Sequence, residues 1–358
     1  MFLWGKKWTR DELLSHVGSL SQIGGITHSE YREGKAKGTS SLRVETGSGL
    51  TFCVLPDRAI DIFEATYRGR SLCWHSPTGV VHPAYYDARD LQWLKSFAGG
   101  LLTTCGLTAA GAPSEDAGEH LGLHGAISNI PAEHLTWSEE WRGDDLWLVI
   151  QGGVREAAVH MANLLLTRTI TTSLGSKQIA IRDEVENQGF RETPFMLLYH
   201  FNFGFPLLTE RSRIFARFLK VEPRDAESAK GVDAWDRFDT PHLGILEKVF
   251  YHQMEADSQG RAIVVLVSDG QSRDFGVSLT YEKANLPEFV QWKMTGVNHY
   301  VLGLEPGNCR VGGRKAERER GALRTLKPGQ KKQFALEIEV LDGEADVTKA
   351  LHSVDKVA

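Results

Sequence analysis

The sequence predicts an all-β protein in which large antiparallel sheets are stacked as a sandwich. From Leu135 onward, short segments rich in β-forming residues recur at intervals of roughly 10 to 15 residues, with turn residues between them. Gln333–Val340 alternates apolar and polar residues, which is typical of a strand with one buried face. The chain has no strand–helix–strand rhythm, no G-x-G-x-x-G segment and no phosphate-binding loop, so nucleotide binding has no support.

The predicted elements follow the chain from a short N-terminal helix into strands. Thr9 and Glu12 form a capping box before two leucines, which predicts a helix over about 9–17. Residues 76–122 are interpreted as a long connection that is functional or carries short helices, and 210–240 as a long loop in preference to a domain boundary. We therefore expect one domain over 1–358. Strands are predicted at Leu42–Glu45, Leu50–Leu55, Ile60–Tyr67, Leu146–Gln151, Leu164–Thr172, Gln178–Glu186, Phe195–Phe203, Ile263–Val267, Val277–Tyr281, Phe289–Met294 and Gln333–Val340.

Composition excludes several classes of function. The chain has 358 residues, of which 41% are hydrophobic and 24% charged, enough to bury a core. The net charge of −5 and the lack of a basic run argue against nucleic acid or an anionic membrane as a partner. The cysteines, at positions 53, 73, 105 and 309, form no C-x-x-C pair, so a disulfide framework or a structural zinc site is not expected.

The N-terminus lacks an apolar core of signal-peptide length, and no stretch reaches about 18 apolar residues. We therefore expect a cytoplasmic protein that spans no membrane. The sequence leaves the oligomeric state open.

Glu305 is the most prominent candidate for chemistry. It ends the apolar run Val301–Leu304 and is followed at once by the turn Pro306-Gly307. A carboxylate at the end of a buried strand is held by a rigid scaffold, and partial burial can tune its pKa toward that of a general base. The alternative is an ordinary glutamate that faces water at the strand edge.

Two further polar sites accompany it. Strand alternation puts His200 and Asn202 on one face of a very apolar strand, where they need partners or a ligand. They could also satisfy each other as a core pair. His124 lies between Gly122 and Gly125, and glycines allow close approach of a ligand, although a lone loop histidine is often unremarkable.

These three sites occur in the order of a known family. Leu123-His124-Gly125, Leu198-Tyr-His200-Phe-Asn202-Phe and Leu304-Glu305-Pro306 resemble three segments of the galactose mutarotase-like superfamily, specifically its aldose 1-epimerase group. The segments around 277–296 and 326–330 are similar to the family's flanking segments, so the resemblance covers roughly residues 40–340. It implies a large galactose mutarotase-like supersandwich that interconverts the anomers of a sugar and needs no metal or other cofactor.

The resemblance also implies roles for the residues. Glu305, ionised near neutral pH, would be the general base, and His200 would be the general acid at the ring oxygen. His124 and Asn202 would bind hydroxyls, and Trp292 could stack on a sugar face or belong to the core. The family's usual arginine before the first histidine is missing, because 103–110 contains none. Arg58 could supply this cation, or it is a turn arginine in water.

Other interpretations remain open at this point. The protein could bind carbohydrate without chemistry, or it could be another sugar isomerase, epimerase or hydrolase. A hydrolase needs two carboxylates, for which Asp236 is a weak second candidate in a charged loop. His124, His200, His252 and Glu305 could form a metal site, with His252 otherwise contributing to substrate binding.

Overall fold

Antiparallel strands form most of the molecule, which confirms the predicted all-β sandwich. The computed structural model describes residues 1–355. In chain order the strands are β1 Phe2–Leu3, β2 Lys6–Lys7, β3 Gly25–Glu30, β4 Ser40–Glu45, β5 Leu50–Leu55, β6 Asp61–Tyr67, β7 Arg70–Ser71, β8 Leu102–Leu107, β9 Ser114–Asp116, β10 Glu119–Leu121, β11 Glu133–Arg142, β12 Asp145–Ala157, β13 Asn163–Ser173, β14 Gln178–Asn187, β15 Thr193–Gly204, β16 Arg213–Ala216, β17 Phe218–Pro223, β18 Lys248–Met254, β19 Arg261–Val267, β20 Phe275–Glu282, β21 Glu288–Gly296, β22 His299–Gly307, β23 Arg324–Leu326 and β24 Lys331–Asp342.

The helices are short and peripheral. The α-helices are α1 Arg10–Leu14, α2 Ala226–Ala229, α3 Arg314–Glu319 and α4 Glu344–Asp355. Single 3₁₀ turns span Leu20–Gln22, Gly34–Ala36, Pro83–Tyr85, Gln92–Lys95, Ile127–Asn129 and Val232–Ala234. No helix within residues 1–355 is long and apolar enough to cross a membrane.

The N-terminal helix begins as predicted but ends early. The capping box of Thr9 and Glu12 is present, and α1 ends at Leu14 instead of continuing to residue 17. The hydroxyl of Ser15 donates to the carbonyl oxygen of Glu12 at 2.7 Å, and Nδ1 of His16 lies 2.7 Å from the same oxygen. These side chains bond to a carbonyl that a longer helix would use, which explains the early end.

Three large sheets build the sandwich, and their strand pairs are antiparallel. One sheet has the order β11-β12-β13-β14-β24-β20-β19-β16, and a second has the order β17-β18-β21-β22-β15-β23, with β8 also paired to β15. The third runs β3-β4-β5-β6-β7. The main core contains buried side chains from all three, because each strand turns one apolar face inward.

Strand β15 divides two environments. Tyr199, Phe201 and Phe203 point into the main core, as the alternation predicts. Leu198 on the opposite face packs in a second apolar cluster with Val249 and Val290 from the neighbouring strands. His200 shares this second face, which is the one that carries the candidate site.

Two stretches interpreted as loops contain regular structure. Residues 76–122 include two 3₁₀ turns and strands β8, β9 and β10, while 210–240 include β16, β17 and α2. The short helical turns considered for 76–122 are present, whereas the strands in both stretches are not predicted from the sequence. These strands are short and lack a clear alternation of apolar residues, so periodicity did not reveal them.

Candidate active site

Three neighbouring strands present His200, Glu305 and Trp292 side by side. Phe201 pairs with Leu304 across β15 and β22, so His200 lies opposite Glu305. Trp292 on β21 pairs with Gly303, two residues before Glu305 on β22. Side chains two residues apart on a strand share a face, so the three side chains occupy one patch of the sheet.

His200 and Glu305 form a buried pair. Nε2 of His200 lies 3.1 Å from Oε1 of Glu305, and the two side chains are 5% and 2% exposed. The contact does not have hydrogen-bond alignment, and Oε1 of Glu305 and Nδ1 of His200 have no hydrogen-bond partner. A buried polar atom without a partner costs about 1–3 kcal/mol, so this patch retains unused hydrogen-bonding capacity.

Burial sets the protonation of this pair. Loss of solvent raises the pKa of Glu305 well above its usual value, with a smaller contribution from the Glu247 carboxylate in the same direction. Burial lowers the pKa of His200 to about 3, and the nearby His124 acts in the same direction. Burial therefore disfavours the charged form of both side chains. The ionisation of Glu305 near neutral pH stays a prediction, and burial acts against it.

Gly303 makes room for the glutamate. A Cβ atom at this position would lie 2.3 Å from Oε1 of Glu305 and 2.9 Å from Cβ of Trp292. Neither distance is compatible with van der Waals contact. The Glu305 carboxylate therefore folds back over a position that has no side chain, and this brings it beside His200.

His124 reaches the same patch from a loop. Its ring centroid lies 5.7 Å from that of His200 and 4.8 Å from that of Trp93. The backbone N–H of His124 donates to the carbonyl oxygen of Gly111, and its own carbonyl accepts from the N–H of Gly106. Part of the residue is exposed, but its Nδ1 is buried without a hydrogen-bond partner. Burial lowers the pKa of the His124 imidazole to about 4.

The loop that carries His124 is packed backbone against backbone. Gly125 has a φ of +71°, and a Cβ there would lie 2.3 Å from the carbonyl oxygen of Ala109. A Cβ on Gly111 would lie 2.6 Å from backbone atoms of Val311. Glycine is required at these two positions because the chain segments approach so closely.

A cavity of about 590 Å³ opens over these residues. His124, His200, Trp292 and Glu305 line it, and most of its remaining wall is apolar. The aromatic members of that wall are Trp74, Trp93 and Phe97. Aromatic walls with a few convergent polar groups are typical of a small-molecule site.

Arg224 and Glu247 also line the cavity, and no motif or periodicity in the sequence predicts either of them. Nη2 of Arg224 donates to Oε1 of Glu247 at 2.9 Å, and Nε donates to Oδ2 of Asp225 at 2.8 Å. Within the described residues, Arg224 is the only arginine or lysine in the cavity wall. Both residues lie in irregular chain next to β17 and β18, where no periodicity could mark them.

Asn202 lies beside the site without lining the cavity. Its Nδ2 donates to the carbonyl oxygens of Gly100 and His200, and its Oδ1 has no hydrogen-bond partner. The amide acts on the His200 ring in the direction that raises its pKa, although the two groups do not meet hydrogen-bond geometry. This effect is smaller than that of burial. Asn202 therefore supports the histidine instead of facing a ligand.

Arg58 does not take the place of the missing family arginine. Its guanidinium is buried and donates to three backbone carbonyl oxygens, those of Ser128, Val81 and Ser96. It does not line the cavity. Arg58 ties together three loop segments, and the expectation that it contacts substrate is wrong, as is the alternative of a solvated turn arginine.

His252 and Asp236 also lie outside the cavity wall. Nε2 of His252 is 2.8 Å from Oε1 of Gln291, and its ring packs against Trp235. Gln291 alternates with Trp292 along β21 and so points to the other face of the sheet. Among residues 1–355 no group of three or more His, Cys, Asp or Glu side chains could hold a metal ion, so the four-residue metal site considered from sequence is not assembled.

The family of the chain follows from sequence comparison. A family model described as a domain of unknown function, DUF4432, matches residues 36–340, and the chain belongs to this family. No curated protein sequence matches the chain.

Structural comparison gives the fold class. The fold is that of galactose mutarotase-like and aldose 1-epimerase proteins, which confirms the predicted resemblance. A candidate aldose 1-epimerase of Klebsiella pneumoniae subsp. pneumoniae is similar with a TM-score of 0.88 and 27% identity, over 93% of this chain and 87% of that chain. A galactose 1-epimerase of Lactobacillus acidophilus has a TM-score of 0.56 and 12% identity, over 89% of this chain and 99% of that chain.

A galactose mutarotase-like protein of Clostridium acetobutylicum has a TM-score of 0.57 and 13% identity, over 89% of this chain and 99% of that chain. At such low identity the last two likenesses establish the fold and nothing about the reaction.

Proposed function

We propose that the protein is an aldose 1-epimerase-like isomerase that interconverts the anomers of a sugar by general acid–base catalysis. The observation that carries the proposal is the buried contact of 3.1 Å between Nε2 of His200 and Oε1 of Glu305 at the wall of an aromatic cavity. His200, Glu305 and His124 each have a buried polar atom without a hydrogen-bond partner. The hydroxyl groups of a sugar ring could form hydrogen bonds with these atoms.

The reaction needs one proton donor and one proton acceptor. The acceptor removes the proton of the anomeric hydroxyl while the donor protonates the ring oxygen, and the bond from the anomeric carbon to the ring oxygen breaks. Rotation of the resulting aldehyde and the reverse proton transfers close the ring as the other anomer. In ring opening and in ring closure the pair accepts one proton and donates one, so no net proton is consumed.

In this mechanism Glu305 is the base and His200 is the acid, which requires the proton to move from Glu305 to His200. The two atoms lie 3.1 Å apart, so a small reorientation that aligns them allows this transfer without changing the total charge of the pair. A sugar hydroxyl that donates to the unpartnered Oε1 of Glu305 stabilises its ionised form. Binding of substrate therefore prepares the pair for catalysis.

The other cavity residues suit a sugar without a formal charge. Arg224 is paired with Glu247 and Asp225, so it does not offer a free cation to a phosphate or carboxylate group. His124 would bind a hydroxyl, and the indole of Trp292 would stack on the apolar face of the ring. No cofactor has a role in this scheme.

Replacement of Glu305 by glutamine tests the proposal. In Glu305→Gln the side chain keeps its shape but cannot accept the proton, so we expect anomeric exchange to fall about 10²- to 10⁴-fold while sugar binding is kept. Exchange is measured by NMR or polarimetry over a panel of aldoses, and binding by calorimetry. Glu140→Gln, an exposed glutamate paired with Arg142, is the matched control.

An active Glu305→Gln variant would exclude Glu305 as the base. Binding of a sugar with no exchange above background in the wild type would instead identify a carbohydrate-binding protein without this catalysis.

A glycoside hydrolase is a second candidate because Glu247 is a second carboxylate at the cavity wall. Both of its oxygens already accept hydrogen bonds, from Arg224 and from Nε1 of Trp292. Because these hydrogen bonds occupy both oxygens of Glu247, an isomerase is favoured over a hydrolase. Release of nitrophenol from a panel of nitrophenyl glycosides would reverse that preference.

A further inference from the structure

Glu247 connects two residues of the cavity wall. It directly precedes β18 and lines the cavity together with Arg224 and Trp292. Oε2 of Glu247 accepts a hydrogen bond from Nε1 of Trp292 at 2.8 Å, and Oε1 accepts one from Nη2 of Arg224 at 2.9 Å. The carboxylate is thus held from one side by the arginine and holds the indole on the other side.

Arg224 is itself fixed at several points. Its backbone N–H donates to the carbonyl oxygen of Val249 at 2.9 Å, and Nε donates to Oδ2 of Asp225 at 2.8 Å. Only Nη2 of its guanidinium reaches Glu247. The position of the Glu247 carboxylate is therefore tied to the first residues of β18 through the arginine.

The indole of Trp292 makes one hydrogen bond, to Glu247, and packs loosely against neighbouring rings, including that of Phe97 at 6.3 Å between ring centroids. Trp292 pairs with Gly303, which offers no side chain to pack against it on the neighbouring strand. Its ring centroid lies 5.5 Å from that of His200 and 6.1 Å from that of Trp74, both in edge-on contacts. Nε1 is the only polar atom of the ring, so a rotation of the indole breaks the bond to Glu247.

We propose that Glu247 is a positioning residue that fixes the indole of Trp292 beside His200 and Glu305, with Arg224 holding the carboxylate in place. The catalytic consequence of this clamp rests on the function proposed above, but its geometry does not. The side chains of Glu247 and Arg224 are 46% and 31% exposed, and ion pairs at such positions contribute little to stability. Loss of Glu247 should therefore change the site and leave the fold intact.

The first experiment reads the clamp without any activity. The indole N–H resonance of Trp292 is recorded by NMR in the full chain and assigned by its disappearance in Trp292→Phe. We expect Glu247→Ala to shift this resonance and to speed up its hydrogen exchange, because the acceptor is lost. Glu247→Gln keeps an acceptor oxygen and should stay close to the wild type.

Glu140→Ala is the matched control, since Glu140 is also an exposed glutamate paired with an arginine, and it lies outside the cavity wall. An unchanged Trp292 resonance in Glu247→Ala would overturn the proposal.

The second experiment asks whether the clamp matters for turnover. For an aldose that the wild type anomerises, we expect Glu247→Ala to raise KM about tenfold with little change in kcat, because sugar stacking is weakened. In a Trp292→Phe background, Glu247→Ala should add no further loss, since the residue then has no indole to hold. Additive losses in the double variant would contradict a role through Trp292.

The charge of Glu247 has an effect that the glutamine variant isolates. Because this carboxylate helps raise the pKa of Glu305, Glu247→Gln should move the pH profile of exchange while KM stays near that of the wild type. If the wild type anomerises no sugar, the proposed function fails, and the NMR experiment still decides whether the clamp exists.

Discussion

Two consecutive residues of β15 belong to buried polar clusters of opposite character. Tyr199 points into the core, where its hydroxyl donates to Asp183 at 2.8 Å. His200 points into the cavity, where its Nδ1 has no hydrogen-bond partner. The two clusters share one strand and a similar degree of burial, yet only one of them is fully hydrogen-bonded.

The core cluster is centred on Arg168, which is completely buried. Its guanidinium donates to both oxygens of Asp183 and to Oδ1 of Asp61, while Thr104 donates to Asp61 from its N–H and its hydroxyl. None of these side chains has an unpartnered buried atom, whereas His124, His200 and Glu305 each have one. The two clusters are similarly buried and differ in how completely their polar atoms are hydrogen-bonded.

The largest expected effect on stability is at the saturated cluster. Arg168→Met leaves two buried carboxylates without their cation, so we expect the free energy of unfolding to fall by about 3–5 kcal/mol. Urea denaturation measures the change, with the surface replacement Arg142→Met as a control. In the unsaturated cluster of the cavity, Glu305→Gln should barely change the free energy of unfolding. A loss below about 1 kcal/mol in Arg168→Met would therefore mean that the two clusters do not differ in their contribution to stability.

A smaller change in the unsaturated cluster should affect turnover and spare the fold. In Gly303→Ala the new methyl group displaces the Glu305 carboxylate from His200, because the carboxylate is the end of a movable side chain. The methyl carbon also lies 2.9 Å from Cβ of Trp292, so β21 has to shift slightly. We expect kcat for anomeric exchange to fall on the order of 10²-fold, as misplacement by about 1 Å commonly does. Gly18→Ala, where the nearest atom would be 3.9 Å from the new Cβ, is the control. Full activity in Gly303→Ala would show that the 3.1 Å contact is not needed.

The smallest effect is the share of one buried histidine in the dependence of stability on pH. Burial lowers the pKa of His124 and His252 to about 4 and that of His200 to about 3, whereas the unfolded values are near 6.5. Below about pH 6.5 the unfolded chain binds more protons than the folded one. The free energy of unfolding therefore decreases as the pH is lowered from about 6.5 toward the folded pKa values. Each histidine contributes up to about 1.4 kcal/mol per pH unit.

Urea midpoints at pH 7, 6 and 5 measure this dependence, and His252→Gln, which leaves the cavity untouched, should flatten it by one histidine's share. The exposed His28→Gln serves as the control. The saturated cluster contains no histidine and should not contribute to this dependence. If His252→Gln leaves the slope of stability against pH unchanged, the buried histidines do not cause that slope.

The sequence predicts those parts of the molecule that alternation and motif order encode. The predicted strands fall within observed ones, and His200, Glu305 and Trp292 meet because alternation fixes their faces and neighbouring strands bring them together. The prediction that His252 contacts substrate fails because of the same alternation. His252 contacts Gln291, which precedes Trp292 on β21 and therefore faces the opposite side of the sheet.

Residues outside the regular strands could not be predicted in this way. Arg58 looked like a solvated or substrate-binding cation, but three carbonyl oxygens from distant loops surround it. Arg224 and Glu247 reach the cavity from irregular segments, and only the folded chain defines their position. The role of Gly303 depends on the Glu305 side chain folding back over it, which sequence spacing does not encode.

Paired strands and connecting segments contribute different residues to the candidate site. His200 and Glu305 lie on neighbouring strands whose backbones are about 4.8 Å apart, so their Cα positions are fixed and only rotation of the two side chains changes their contact. His124, Arg224 and Glu247 are carried by connecting segments outside that pair of strands. In the proposed mechanism the proton therefore moves between residues of two paired strands, while connecting segments supply other groups that surround the ligand.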